Sequence, residues 1–224
     1  VIIMIKTKDM NSNPLNITVV SSAAVDERPV AIYVHGLASG AAGTTFGSLS
    51  RKFKQYRWIT TDFGEDILVN KLILEYMISQ HNPSLVVGTS MGGLTVLYAD
   101  APNVVKIVCN PALSVADSVR NTLGLGRHDY FCARLDGVQS FELTDEMCLG
   151  YETFISRAQL RLGKESYAIF SAHDELLGDE AALVAQQVVS KAGYEVLVDQ
   201  KGSHRITSST IKIIGTIINK ELEQ

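Results

Sequence analysis

One serine, one histidine and one aspartate carry the clearest chemistry in this chain. Ser90 sits in Gly88-Thr89-Ser90-Met91-Gly92-Gly93, which contains Gly-x-Ser-x-Gly. An apolar run at 85–88 precedes it and another at 94–99 follows it. A serine on a sharp strand-to-helix turn projects its hydroxyl, and flanking glycines omit the Cβ atoms that would clash there. The N-terminus of the next helix favours negative charge developing beside it. Gly-x-Ser-x-Gly alone recurs by chance, so the strand–turn–helix setting gives the motif its weight. The competing readings are a glycine-rich turn and a phosphate-binding turn. Neither Gly-x-Gly-x-x-Gly nor a P-loop lysine supports the second.

A serine needs a base, and a histidine base needs an acceptor that fixes its tautomer. His204, in Gly202-Ser203-His204, directly follows the last predicted strand. Asp174, in Phe170-Ser171-Ala172-His173-Asp174-Glu175, follows another. Alone, His204 reads as a loop histidine, and Asp174, Glu175, Asp179 and Glu180 read as solvated acids at a helix start. The order serine, aspartate, histidine along the chain favours the catalytic reading, because α/β-hydrolases place their triad in that order. Asp174 is preferred to Asp179, which falls inside the predicted helix.

Two backbone amides complete the expected site. His35-Gly36-Leu37 ends an early strand, and its turn delivers the Leu37 N–H toward the serine. Together with the Met91 N–H it would form an oxyanion hole. His35 itself is expected to be a structural histidine beneath the site. His81 is read as an exposed turn residue and His173 as a loop residue. His128-Asp129 is assigned to a lid or to the surface.

These residues need strands that all deliver them to one edge of a sheet. Strands are predicted at 1–7, 16–22, 30–34, 58–62, 84–88, 104–109, 167–171 and 195–199. Helices are predicted at 44–55, 66–80, 92–99, 179–191 and 206–223. In the second helix Leu68, Leu72, Ile73 and Met77 fall near a 3.6-residue period. Alternating strands and helices predict an α/β fold, with a mostly parallel central sheet and helices on both faces. The first two strands, joined by Asn11-Ser12-Asn13-Pro14, are the expected antiparallel exception.

One domain spans 1–224, with an insertion at about 112–165. Helix-like segments at 113–123 and 144–162 and no convincing strand make it a helical lid. Leu123, Leu125, Tyr130 and Phe131 are its expected pocket residues, with Tyr130 and Phe131 taken as substrate-binding.

The 224 residues suffice for one domain with a substantial core. A net charge of -4, with no long run of one sign, argues against a nucleic-acid or anionic-membrane surface. No apolar stretch reaches the roughly 20 residues that span a bilayer. The short apolar start at 1–5 falls short of a signal peptide. No Cys/His cluster has metal-ligand spacing, so no metal is expected. Cys109, Cys132 and Cys148 are read as buried free thiols, which fits a reducing cytoplasm.

The chain resembles the YqiA/YcfP-like esterases, a group of small α/β-hydrolases. The matching pieces are Tyr33-Val34-His35-Gly36-Leu37, the Ser90 motif, Cys109-Asn110-Pro111-Ala112, Phe141-Glu142-Leu143-Thr144, Asp174-Glu175-Leu176-Leu177 and Gly202-Ser203-His204. The match covers most of the chain from Val30 onward, and the segment before it departs from the family pattern. The resemblance implies hydrolysis of carboxylic esters, of short acyl esters or thioesters, with no cofactor. A thioesterase or acyltransferase with the same triad, and a non-catalytic binding protein on this fold, remain open at this point.

Overall fold

The computed structural model describes residues 3–6 and 17–223. An eight-stranded sheet runs in the order β1-β2-β4-β3-β5-β6-β9-β10. β1 (Ile3–Lys6) and β2 (Thr18–Ser21) pair antiparallel, and β2 is also antiparallel to β4 (Arg57–Thr60). β3 (Val30–Val34), β5 (Leu85–Thr89), β6 (Val105–Cys109), β9 (Ser166–His173) and β10 (Glu195–Ser203) extend the sheet in parallel from β4. The mostly parallel sheet with an antiparallel edge is therefore as expected. The predicted turn at 11–14 lies outside the described residues.

The central strands are mostly apolar because both faces are covered, although β6 buries Lys106, whose Nζ donates to Ala99 O at 2.6 Å and Arg161 O at 2.9 Å. On one face Ile32, Val34, Val86, Val108, Ala168 and Phe170 pack with α2 (Ile67–His81), α3 (Met91–Tyr98) and α6 (Asp179–Lys191). On the other, Ala31, Tyr33, Val87, Ile107, Cys109 and Ile169 pack with α1 (Thr44–Lys52) and α7 (Ser208–Leu222). Side chains alternate between faces with the period of two that a strand imposes. All the parallel strands end on one edge, which gathers the loops after β3, β5, β6, β9 and β10.

Two expectations fail. α2 buries Ile67, Asn70, Leu74 and Met77, whereas Leu68 and Leu72 are each 55% exposed. The helix is apolar nearly all round, so its periodicity selects no single stripe. The insertion also contains strands. After α4 (Val115–Ser118) and a π-turn at Val119–Leu123, β7 (Gly126–Asp129) pairs antiparallel with β8 (Ser140–Leu143). α5 (Asp145–Arg157) follows, capped by the Thr144 hydroxyl on the Met147 N–H at 3.2 Å. The helix stops well short of residue 162. The chain instead runs extended and ties back to the domain through Arg161 N–H to Leu97 O and Lys164 N–H to Val104 O.

The three cysteines are free thiols, Cys109 and Cys148 buried and Cys132 half-buried. No helix among the described residues is long and apolar enough to cross a membrane.

Candidate active site

The turn between β5 and α3 holds Ser90 at φ 54 and ψ -121, a conformation that L-residues rarely adopt. Its neighbours show what enforces it. A Cβ on Gly88 would lie 2.5 Å from the Gly92 carbonyl oxygen, and one on Gly92 would lie 2.1 Å from the Val34 oxygen. β3, β5 and α3 thus meet backbone to backbone, which only glycine permits. Ser90 N–H donates to Cys109 O at 3.0 Å, and Ser90 O accepts from Leu94 and Ala112. The sharp turn is therefore tied into β6 as well as into its own helix.

His204 reaches this serine from the loop after β10. Its Nε2 is 3.0 Å from Ser90 Oγ, and its Nδ1 is 2.9 Å from both Asp174 oxygens. Asp174 Oδ1 also accepts the Leu176 and Leu177 amides at 3.0 and 2.9 Å. Burial opposes ionisation of the Asp174 carboxyl, yet the hydrogen bond to His204 and those two amides together hold its pKa below the ordinary value. Asp179 is the exposed first residue of α6. Glu175 accepts the His204 N–H at 3.0 Å, a contact that sequence reading missed.

His35 is buried. Its Nδ1–H donates to Gly36 O at 2.9 Å, and its Nε2 accepts the Phe63 N–H at 3.0 Å. Those two bonds define a neutral ring with its proton on Nδ1. Burial lowers its pKa to about 4. It fastens the turn that follows β3, where Gly36 lies so close to Ser90 that an added Cβ would sit 3.1 Å from the serine Cβ. Leu37 and Met91 both border the cleft over Ser90, and among the described residues no backbone acceptor is paired with either N–H.

Asp62 was not singled out in the sequence. Its Oδ1 accepts Ala41 N–H at 2.7 Å and its Oδ2 accepts Leu135 N–H at 2.5 Å. One carboxylate thus joins the loop carrying Leu37 to the insertion. Nothing local marks it, because both partners are backbone amides remote in sequence.

The cleft over Ser90 has a volume of about 530 Å³. Met91, Ala112, Val115, Phe141, Leu143 and Leu177 give it an apolar wall, partly from the insertion. Across the sheet edge, Ser39, Thr44, Thr45 and Thr89 make it more polar, with Tyr33 Oη 3.0 Å from Thr89 Oγ1. A depression of about 680 Å³ lies elsewhere, over Lys71, Glu75, Arg157 and Arg161, and holds none of the residues above. Larger volume there does not outweigh the absence of a nucleophile–base pair.

The two insertion residues part company. Phe131 borders the cleft, 70% exposed, with the Arg205 guanidinium 5.3 Å from its ring centroid. Tyr130 is not in the cleft wall. Its hydroxyl donates to the Glu65 carboxylate, and Arg134 lies 4.4 Å over its ring. Leu123 borders the cleft and Leu125 does not. His128 borders it, stacked on Phe141 with ring centroids 5.7 Å apart. His173 is exposed at the end of β9, and His81 is half-buried rather than exposed. No group of three His, Cys, Asp or Glu among the described residues is arranged to hold a metal ion.

No family model matches the chain, and no curated protein matches it significantly. Solved structures do. Est1E from Butyrivibrio proteoclasticus aligns with TM-score 0.65 and 11% identity, covering 100% of this chain and 99% of that one. The monoacylglycerol lipase of Paleococcus ferrophilus aligns with TM-score 0.63 and 13% identity, covering 92% and 98%. Mouse alpha/beta hydrolase domain-containing protein 10 aligns with TM-score 0.61 and 11% identity, covering 100% and 98%. At such identities the likeness establishes the fold, which is the α/β-hydrolase fold; activity has to be argued from the site.

Proposed function

We propose that this chain is a serine hydrolase that cleaves carboxylic esters through an acyl-enzyme intermediate. The observation that carries the reading is the unbroken hydrogen-bond chain from Ser90 Oγ through the His204 imidazole to Asp174. Ser90 is the nucleophile, His204 the general base and then acid, and Asp174 the group that fixes the tautomer.

In this mechanism His204 Nε2 takes the Ser90 proton as Oγ attacks the acyl carbonyl. The C=O electrons move onto oxygen, where the Leu37 and Met91 amides receive the charge. Each such donor contributes about 3 kcal/mol to the barrier reduction. The intermediate collapses, the bond to the leaving oxygen breaks, and that oxygen takes the proton from Nε2. Water then attacks the acyl-Ser90 carbonyl with His204 again as base, releasing the acid and restoring the serine. No step calls for a cofactor.

The apolar wall of the cleft suits an acyl chain, and the insertion that supplies part of it would set the chain length accepted. Phe131 belongs to that wall in this reading. A structure of Est1E from Butyrivibrio proteoclasticus with ferulic acid bound also shares the fold, at TM-score 0.63 and 16% identity over 94% of this chain and 96% of that one. That supports a small-molecule substrate. The narrower resemblance to YqiA/YcfP-like esterases rests on the sequence motifs.

The test is labelling with a fluorophosphonate probe and peptide mapping, alongside turnover of p-nitrophenyl esters graded by acyl length and of matching thioesters. Labelling confined to Ser90 with ester turnover is expected. A protein that is folded but unlabelled at Ser90 would overturn the proposal.

A further inference from the structure

Asn110, which follows β6, takes no step in the mechanism above, yet its side chain makes four hydrogen-bond contacts. Asn110 is buried, and its backbone sits at φ 45, a left-handed conformation that Asn tolerates better than most residues. Its side-chain oxygen accepts the Ser171 N–H at 2.7 Å. Its Nδ2 lies 3.0 Å from each of three acceptors, Ser171 Oγ, Ser203 O and His204 O. An amide carries two N–H donors, so one is shared between two of these oxygens.

We infer that Asn110 is a positioning residue for His204: its amide fastens the carbonyls of the histidine loop to β9 and so sets the reach of the imidazole to Ser90. The inference rests on the serine-hydrolase reading.

The sheet does not do this by itself. β10 and β9 pair in register from Glu195 to Asp199, then the register breaks before Ser203 pairs with His173. His204 therefore leaves a strand end whose ladder is interrupted. Its N–H is held by the exposed Glu175, a side chain in water. The buried tie on its carbonyl is Asn110. Displacing a catalytic group by about 1 Å costs on the order of 10²-fold in rate, so the loss of this tie is felt in kcat rather than in substrate binding.

Three variants test it. Asn110→Gly keeps the left-handed backbone and removes the amide. Asn110→Asp keeps the acceptor for Ser171 N–H and replaces the donors. Ser171→Ala removes one acceptor of the amide and leaves both loop carbonyls tied. For both Asn110 variants kcat should fall 10- to 100-fold with KM within threefold, and Ser171→Ala should stay within threefold in both. Independently of turnover, proton NMR should show the His204 Nδ1 proton exchanging with water at least tenfold faster in the Asn110 variants. Unchanged exchange together with kcat within threefold would overturn the inference. So would a Ser171→Ala loss equal to that of Asn110→Gly, which would indicate general packing. If the parent hydrolyses no ester while exchange still speeds up, the hydrolase reading fails and the positioning role stands.

Discussion

Asp174→Asn is the sharpest perturbation of this site, because the surrounding bonds dictate how the amide must sit. Asp174 Oδ1 accepts three donors, the Leu176 and Leu177 amides and His204 Nδ1–H. An asparagine has one acceptor oxygen, and the two backbone N–H groups claim it for the Oδ1 place. Its NH2 then falls where Oδ2 was, 2.9 Å from His204 Nδ1. There it faces another N–H unless the imidazole moves its proton to Nε2. With the proton on Nε2, the ring can no longer accept one from Ser90. The expected cost is about 10⁴-fold in kcat, or roughly 5.5 kcal/mol. Steady-state kinetics on the best p-nitrophenyl ester, with circular dichroism to show the fold intact, would measure it. Asp179→Asn, at an exposed helix start, should stay within threefold. A loss under tenfold for Asp174→Asn, or the two effects reversed, would refute the reasoning.

Ser90→Ala should abolish fluorophosphonate labelling and lower turnover by several orders of magnitude, read by gel fluorescence and kinetics. His35 has a folded pKa near 4 against an ordinary 6.5, so the unfolded chain binds its proton first as pH falls and stability is lost from about pH 6.5 downward. Urea titrations at pH 7 and pH 5 should show His35→Gln losing about 2 kcal/mol less than the parent over that interval. Gly92→Ala should destabilise by about 1–3 kcal/mol or more and cut kcat, because the new Cβ would meet the Val34 and His35 carbonyl oxygens at 2.1 and 2.5 Å. Gly150→Ala, with nothing within 4 Å in mid-helix, should instead stabilise by about 0.5–1 kcal/mol in thermal melts. Phe131→Ala should shift preference toward longer acyl chains, whereas Tyr130→Ala should leave acyl preference alone and lower the melting temperature.

The central parallel strands were legible because burial on both faces makes them mostly apolar, Lys106 in β6 apart, and Gly36 and Pro111 follow their ends. Ser90, Asp174 and His204, the proposed triad, were legible from their order and from each following a strand. The β7–β8 hairpin was not. Gly126-Arg127-His128-Asp129 has no apolar or β-branched residue, and its pairing comes from backbone bonds and from His128 stacked on Phe141 across the ladder. Tyr130 and Phe131 could not be told apart either. Tyr130 directly follows β7 and Phe131 lies in the bend beyond it, and no alternation around them says which way is inward. Asn110 and Asp62 act on backbone groups far along the chain, and such partners leave no local pattern to read.

Asp62 has a consequence for how this protein can change. Its two oxygens are loaded by amides from separate loops, one leading to Leu37 and one rising into the insertion. Moving the backbone at residues 134–136 would therefore pull on the loop that carries Leu37, the proposed oxyanion donor, in the same step. On the proposed reading, a library built at residues 134–136 should return mostly variants with lowered kcat, because the Leu37 N–H moves with them. Diversity that leaves the reaction intact belongs at side chains such as Leu123 and Phe131, where substitution alters the wall and spares the backbone bonds beneath it.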